Sequence, residues 1–282
     1  VTNRGTFCTG GQTSREAWTP PFEFAARRGE KNQEHCVVYN MIRLADYLFR
    51  WTGDVQYADY IERNLHNGIL AQQHPRTGMI SYFLPLEAGA TKTWGSPTYD
   101  FWCCHGTLVQ AHAAHNAWIY YENDESIAIC QYTPSVAKTQ RNGSWVAIEQ
   151  TLDLQTAAAS DDNSSHAGTT HRPTNWAVDV SVSCERPVEF TLKLRLPWWT
   201  SRAATVSVNG EPLPEEMVPS SFCTISRTWH NDTIRVELPK SLTVSEIPDE
   251  PNMVAFLDGP VVLAGLSSEE RMLIGDPGDP SS

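Results

Sequence analysis

The chain has 282 residues, a formal net charge of −12 at pH 7, 40% hydrophobic and 19% charged residues. Those proportions exclude a disordered polymer, and the acidic balance argues against nucleic acid or an anionic membrane as partner, because both demand basic patches. No run of about 18 apolar residues occurs, so no membrane-spanning helix is expected, and the length suits a sizeable core spread over about two domains.

The opening Val1-Thr2-Asn3-Arg4-Gly5 shows neither an initiator Met nor a signal-peptide pattern, so a piece of a longer protein is expected. From 34 to 51, apolar residues recur as Val37/Val38, Met41/Ile42, Leu44/Ala45 and Leu48/Phe49, the pattern of a helix with one buried face. Thr52-Gly53-Asp54 closes it and offers an N-cap to a second helix, where Tyr57, Ile61, Leu65 and Ile69 recur at every fourth residue up to about 73. Pro75 and Gly78 then break the chain, and a short extended piece covers 79–84. A loop leads to Cys103-Cys104, which opens a third helix over roughly 107–121.

After Asn123-Asp124 the period changes to two. Strands are predicted over 127–132, 145–148, 188–196, 222–225, 234–238 and 253–263, with a further one at Val206 and Val208 entering the turn Asn209-Gly210. In the clearest of them Val188, Phe190, Leu192, Leu194 and Leu196 alternate with Glu189, Thr191, Lys193 and Arg195, as in a half-buried strand. Many short strands with regular turns predict a β-sandwich. The polar stretch 156–175 reads as a loop. The expectation is an α+β chain with a helical part over 1–125, a β-sandwich over 126–275 and a frayed tail over 276–282. Three helices cannot enclose a large core, so the helical part should belong to a larger helical domain.

Seven cysteines cannot all pair, and a chain of this length is no small disulfide scaffold. Cys8, Cys130, Cys184 and Cys223 read as buried structural thiols. Cys103 and Cys104 differ, because a loop entering a helix offers unpaired amides and a positive dipole end that favour thiolate. Glu34 and Cys36 lie upstream at a helix start, where the preceding turn can bend both toward one point. Three thiols and a carboxylate can fill the first shell of a tetrahedral zinc. Read from these residues alone, buried thiols remain an open alternative. Glu16, on a glycine-bearing loop, is open between a solvated surface group and a general acid. Ten tryptophans and nine tyrosines suit sugar rings or a large core. Sequons at Asn142, Asn163 and Asn231 do not decide the compartment.

Several segments together resemble the β-L-arabinofuranosidase family of zinc–cysteine retaining glycoside hydrolases. These are Thr9-Gly10-Gly11 with Arg15-Glu16-Ala17-Trp18, then Glu34-His35-Cys36 running to Tyr39-Asn40-Met41, and Tyr57-Ala58-Asp59-Tyr60 through His66-Asn67. Gln73-His74-Pro75-Arg76-Thr77-Gly78 and Phe101-Trp102-Cys103-Cys104-His105-Gly106-Thr107 follow, then Leu194-Arg195-Leu196-Pro197-Trp198-Trp199 and Gly259-Pro260-Val261-Val262. The resemblance implies zinc (Zn2+) held by Glu34, Cys36, Cys103 and Cys104, with Cys103 as nucleophile, Glu16 as acid/base and Tyr82 beside the sugar. It implies a glycan substrate, and a fold of later (α/α)6-barrel helices followed by a β-sandwich. The family's sugar-binding positions on earlier helices have no counterpart here. After Gly106-Thr107 the chain reads Leu108-Val109-Gln110-Ala111-His112, where many relatives carry a Gly and an acidic residue. Two competing readings are a carbohydrate-binding sandwich stabilised by structural zinc, and a redox-active vicinal thiol pair.

Overall fold

The computed structural model describes residues 4–153, 173–201 and 203–266. The fold is mixed α+β, and chain contacts divide it into two units. One runs up to Asn116 and resumes at Leu242, and the other is Ala117–Ser241. The predicted loop over 156–175 lies almost wholly outside the described residues, and the predicted tail lies entirely outside them.

The first unit begins with a small hairpin of β1 (Thr13–Ser14) and β2 (Ala17–Trp18), paired as Thr13↔Trp18 and Ser14↔Ala17. Helix α1 (His35–Thr52) buries His35, Val38, Tyr39, Ile42, Ala45 and Phe49, the stripe that its 3.6-residue period dictates. It ends where Gly53 turns left-handed at φ 67° and returns its N–H to the Phe49 carbonyl at 2.7 Å. Asp54 caps α2 (Val55–Asn64) by accepting from the Gln56 N–H at 3.0 Å. The predicted second helix does not run on unchanged. It widens into a π-turn over Leu65–Ile69 and tightens into a 3₁₀ turn over Leu70–Gln72. Gly68 explains the close approach there, since a Cβ on it would come within 2.6 Å of Val38 Cγ1. Helix α3 (Cys103–Ala114) buries Cys104, Leu108 and Ala111 and packs on α1.

The second unit is built on one sheet containing β3 (Tyr120–Glu122), β4 (Ser126–Ile129), β5 (Ser135–Arg141), β6 (Ser144–Asp153) and β7 (Asn175–Leu196). It continues with β8 (Thr205–Val208), β9 (Glu211–Pro212) and β10 (Ser221–Pro239), in the order β3-β4-β7-β10-β8-β9, with β5 on β6 and β6 on β7. Strand β7 pairs with β10 along its length, while its other edge takes β6 near one end and β4, in parallel, near the other. The core residues of β7 from Val178 to Leu196 are all even-numbered. On β10 they are Cys223, Ile225 and Trp229, then Ile234, Val236 and Leu238, so the parity changes midway. The cause is an irregularity between Trp229↔Val188 and Asn231↔Ser183, which sets residues 184–187 opposite His230 alone.

Several expectations are corrected. The strands predicted separately at 222–225 and 234–238 are one strand, β10. Arg195, expected on a wet face, is fully buried and donates from Nε to the Cys130 carbonyl at 2.5 Å. The third helix starts at Cys103 rather than 107, and Tyr120–Glu122 is strand rather than helix. Beyond Ser241 the described strands belong with the first unit. Strands β11 (Leu242–Ile247), β12 (Glu250–Asp258) and β13 (Val261–Val262) form their own sheet and group with the helices. Asn67 of the π-turn explains that attachment. It donates to the Pro260 carbonyl and accepts from the Val262 N–H, both at 2.8 Å. Asp249 likewise accepts from the Phe24 N–H at 2.8 Å.

Trp229 is the largest fully buried side chain of the β unit and donates its indole N–H to the Phe190 carbonyl at 2.9 Å. Trp229→Ala is expected to cost about 3–5 kcal/mol, leaving a cavity and an orphaned carbonyl. Urea unfolding followed by circular dichroism measures this, and an unchanged midpoint would contradict the packing described.

Candidate active site

The β1–β2 hairpin turns on only two residues, Arg15 at φ 51° and Glu16 at φ 65°. Both lie in the left-handed region that a two-residue type I′ turn requires, and where Asn-Gly is the usual solution. Asn142-Gly143 and Asn209-Gly210 make the same turn in the β unit with that usual pair. Arg15 and Glu16 adopt it at a cost of about 1–2 kcal/mol each, and the reward is a carboxylate held at a hairpin tip. The hairpin is tied down by the Glu34 N–H donating to Thr13 Oγ1 at 3.1 Å and the Arg15 N–H donating to the Lys31 carbonyl at 2.8 Å. Glu16 thus stands beside the start of α1.

Two helix N-termini converge here. Glu34 and Cys36 flank the first residue of α1, and Cys103 and Cys104 open α3. Cys36 is thereby able to face the Cys103-Cys104 pair. Its Sγ lies 3.6 Å from Cys104 Sγ, and Cys103 Sγ lies 4.0 Å from Cys104 Sγ. The four ligand atoms of Glu34, Cys36, Cys103 and Cys104 all lie within 4.8 Å of one another. Sulfurs at about 2.3 Å from a tetrahedral ion stand ~3.8 Å apart, so these separations fit a thiolate-bound cation. Among the described residues no other group of three or more His, Cys, Asp or Glu side chains converges in this way.

Burial favours the neutral forms of these groups. Burial, followed by the neighbouring Glu16 charge, raises the Glu34 carboxyl above its ordinary value. Burial pushes the Cys36 thiol up to about 11, although Thr107 pulls it down. Burial and the charge of Cys36 raise Cys104 as well. Burial lowers His35, between the two α1 ligands, to about 4, so its ring is neutral.

Tyr82 joins the cluster to Glu16. Its hydroxyl donates to Glu16 Oε1 at 2.5 Å, and Cys103 Sγ lies 3.7 Å from that hydroxyl's own oxygen, Tyr82 Oη. The bond to Glu16 raises the phenol above its usual range, with burial adding to it. Trp102 packs edge-on to Tyr82 with ring centroids 5.6 Å apart. His105 holds the α3 entry, accepting from the Trp102 N–H at Nδ1 over 3.0 Å.

All six residues singled out from the sequence (Glu16, Glu34, Cys36, Tyr82, Cys103 and Cys104) meet in this one place. Sequence reasoning missed the groups that hold them there. Gln72, fully buried, donates its amide toward the carbonyls of Gln33 at 3.1 Å and of Ser81 and Tyr82 at 3.3 Å. The His35 N–H adds a bond to the Tyr82 carbonyl at 3.1 Å. Gln72 looked like any polar residue late in a helix and carried no signal. Thr107 stood inside the quoted cysteine segment, so position could have pointed to it.

Comparison with known proteins gives a consistent picture. The sequence model of the β-L-arabinofuranosidase GH127 catalytic domain matches residues 1–117, and that of the GH127 middle domain matches 154–240. Those limits fall close to the structural boundaries near Asn116 and Ser241. A GH127 β-L-arabinofuranosidase from Geobacillus stearothermophilus T6 is similar at 25% identity and TM-score 0.74, covering 93% of this chain and 41% of its own. A GH127 β-arabinofuranosidase (20% identity, TM-score 0.72) and a glycoside hydrolase (19%, TM-score 0.71) share the fold, covering 92% and 93% of this chain and 41% and 45% of theirs. The chain therefore spans less than half the length of these solved structures. No curated protein matches it.

With Cys36 and Cys104 protonated at neutral pH, a thiolate-binding metal must displace both protons. Affinity is therefore expected to rise with pH, by about 100-fold or more per unit between about pH 6 and 8, and to fall as acid returns the protons. Chelator competition across that range measures it, and a flat profile would contradict protonated thiols.

Proposed function

The chain belongs to the GH127 β-L-arabinofuranosidase family, and from that premise we propose that it is the part of a retaining glycoside hydrolase that carries the nucleophile, the acid/base and a zinc site. The observation that carries this reading is the shared contact of Glu16 and Cys103 with one phenol oxygen, that of Tyr82. It limits their separation to at most roughly 6 Å, which allows the ~5–5.5 Å spacing of retaining pairs and lies below the ~6.5 Å at which the range of inverting pairs begins. The substrate is a β-L-arabinofuranoside or related sugar on a glycan.

Glu16 gives its proton to the departing glycosidic oxygen as Cys103 Sγ attacks the anomeric carbon. The C–S bond forms while the C–O bond breaks, leaving the sugar on Cys103. Glu16, now a carboxylate, takes a proton from water, whose oxygen displaces the sulfur. Two inversions give net retention. Tyr82 fixes the orientation of the Glu16 carboxylate against the sulfur. Glu34, Cys36, Cys103 and Cys104 would hold zinc, which keeps the Cys103 sulfur ionised for attack and stabilises it as it leaves. The donor set supports zinc, since thiolates with one carboxylate are among its usual ligands. The helical unit is best read as later helices of an (α/α)6 barrel, and the β unit as a β-sandwich.

A structural-metal reading has in its favour four protein ligands, which resemble a closed site. Experiment separates the two. With an aryl β-L-arabinofuranoside, Cys103→Ser is expected to reduce turnover by about three orders of magnitude or more. A sugar carrying a haloacetamide should add its mass to the Cys103 peptide. Turnover persisting in Cys103→Ser would overturn the nucleophile, and zinc bound without turnover or adduct would favour the structural reading. Cys36→Ala should lose the metal by elemental analysis, and unchanged content would overturn the ligand set.

A further inference from the structure

Three thiolates and a carboxylate around one divalent cation carry a net charge of −2. Hydrogen bonds to the sulfurs decide how that charge is shared, because a donor draws electron density from the sulfur that it touches. Among the described residues two hydroxyls reach the sulfurs. The Tyr82 proton is already committed to Glu16, at 2.5 Å, so Tyr82 can only accept near Cys103. The other is Thr107, whose Oγ1 lies 3.4 Å from Cys36 Sγ. The same oxygen lies 3.4 Å from the Cys103 carbonyl and 3.3 Å from the Cys104 carbonyl. One hydroxyl has one proton, so it serves either a carbonyl or the sulfur. Those carbonyls lie in the first turn of α3 and face the N–H groups one turn on, so neither depends on Thr107. The sulfur of a Cys36 thiolate has no such substitute.

We propose that Thr107 is a positioning residue whose hydroxyl turns from the α3 carbonyls to the Cys36 sulfur when the cluster holds a metal, marking Cys36 as a permanent ligand and leaving Cys103 the more electron-rich sulfur. The proton balance is simple. In the thiol state Cys36 S–H donates to Thr107 Oγ1, and the hydroxyl donates to a carbonyl. Once the thiol proton has been released to solvent on metal binding, the hydroxyl donates to the thiolate. Among the described residues the hydroxyl near Cys103 Sγ is that of Tyr82, whose proton lies on Glu16, so it leaves the lone pair of the nucleophile to the sugar. The division of labour between two chemically identical side chains thus comes from one hydroxyl on α3. This inference rests on the proposed metal site.

Cobalt(II) reports on it without any need for turnover, because its thiolate charge-transfer band responds to hydrogen bonding at sulfur. Thr107→Val keeps the shape and removes the donor. It should bind cobalt about 10–100-fold more weakly in chelator competition and shift the charge-transfer band. Thr107→Ser should restore both, with an affinity within about threefold of the parent. If Thr107→Val does not fold, Thr107→Ala supplies the same comparison, and thermal unfolding of the metal-free chain controls for stability. An unchanged affinity and band in the variant, beside a parent that binds cobalt through sulfur, would overturn the role of Thr107 alone. A parent with no thiolate band would overturn the metal site itself, and this inference with it.

Discussion

The amide of Gln72, fully buried, reaches three carbonyls, and the geometry of the site follows from that constraint. It joins the strip that leads into Glu34 to the strip that carries Tyr82. An unsatisfied carbonyl at that depth would cost about 1–3 kcal/mol, so the two strips are held in register by the penalty for separating them. Gln33, on the first strip, donates in turn to the Asn67 carbonyl of the π-turn and meets Thr9 of the N-terminal loop. Asn67 fastens β13. One line of buried amides therefore runs through the first unit from the glycine loop to the last described strand. The π-turn is part of it, since a regular α-helix would aim Asn67 elsewhere.

The adjacent pair Cys103-Cys104 gains its meaning from this frame. Two neighbours in a helix point about 100° apart, so they cannot normally serve one centre. At the first turn of α3, with Trp102 still extended, they can. Cys104 is buried and Cys103 is exposed. One sulfur of the pair is enclosed by protein and the other stands open to an incoming molecule, the asymmetry that the proposed division into ligand and nucleophile calls for.

Much of this was legible in the sequence. The buried stripe of α1, its glycine stop and the Asp54 cap are local effects, and local chemistry wrote them plainly. The six residues that the sequence singled out do come together, five of them from the segments that carry the resemblance and Tyr82 from what it implies. What escaped was non-local. The predicted second helix gives way at Leu65–Ile69 because Gly68 and Asn67 answer to Val38 and β13, neither of which a helical period can see. Arg195 fits the alternation of a half-wet strand, yet the Cys130 and Tyr132 segment covers it, with the Tyr132 hydroxyl on the Arg195 carbonyl. The grouping of β11–β13 with the helices depends on the Asn67 side chain and backbone groups about 190 residues away, and composition along the chain carries no trace of it.

The parity change in β10 sets a rule for how the β unit can vary over evolution. Residues 184–187 bulge against His230, and the odd difference in length is what lets both halves of β10 turn their apolar side inward. Removing a single residue from that bend would restore matched counting and rotate one half of β10, with either Trp229 or Ile234 and Val236, out into water. Removing two would leave the facing intact. Homologues should therefore gain or lose residues at this bend in pairs, with single-residue changes absent.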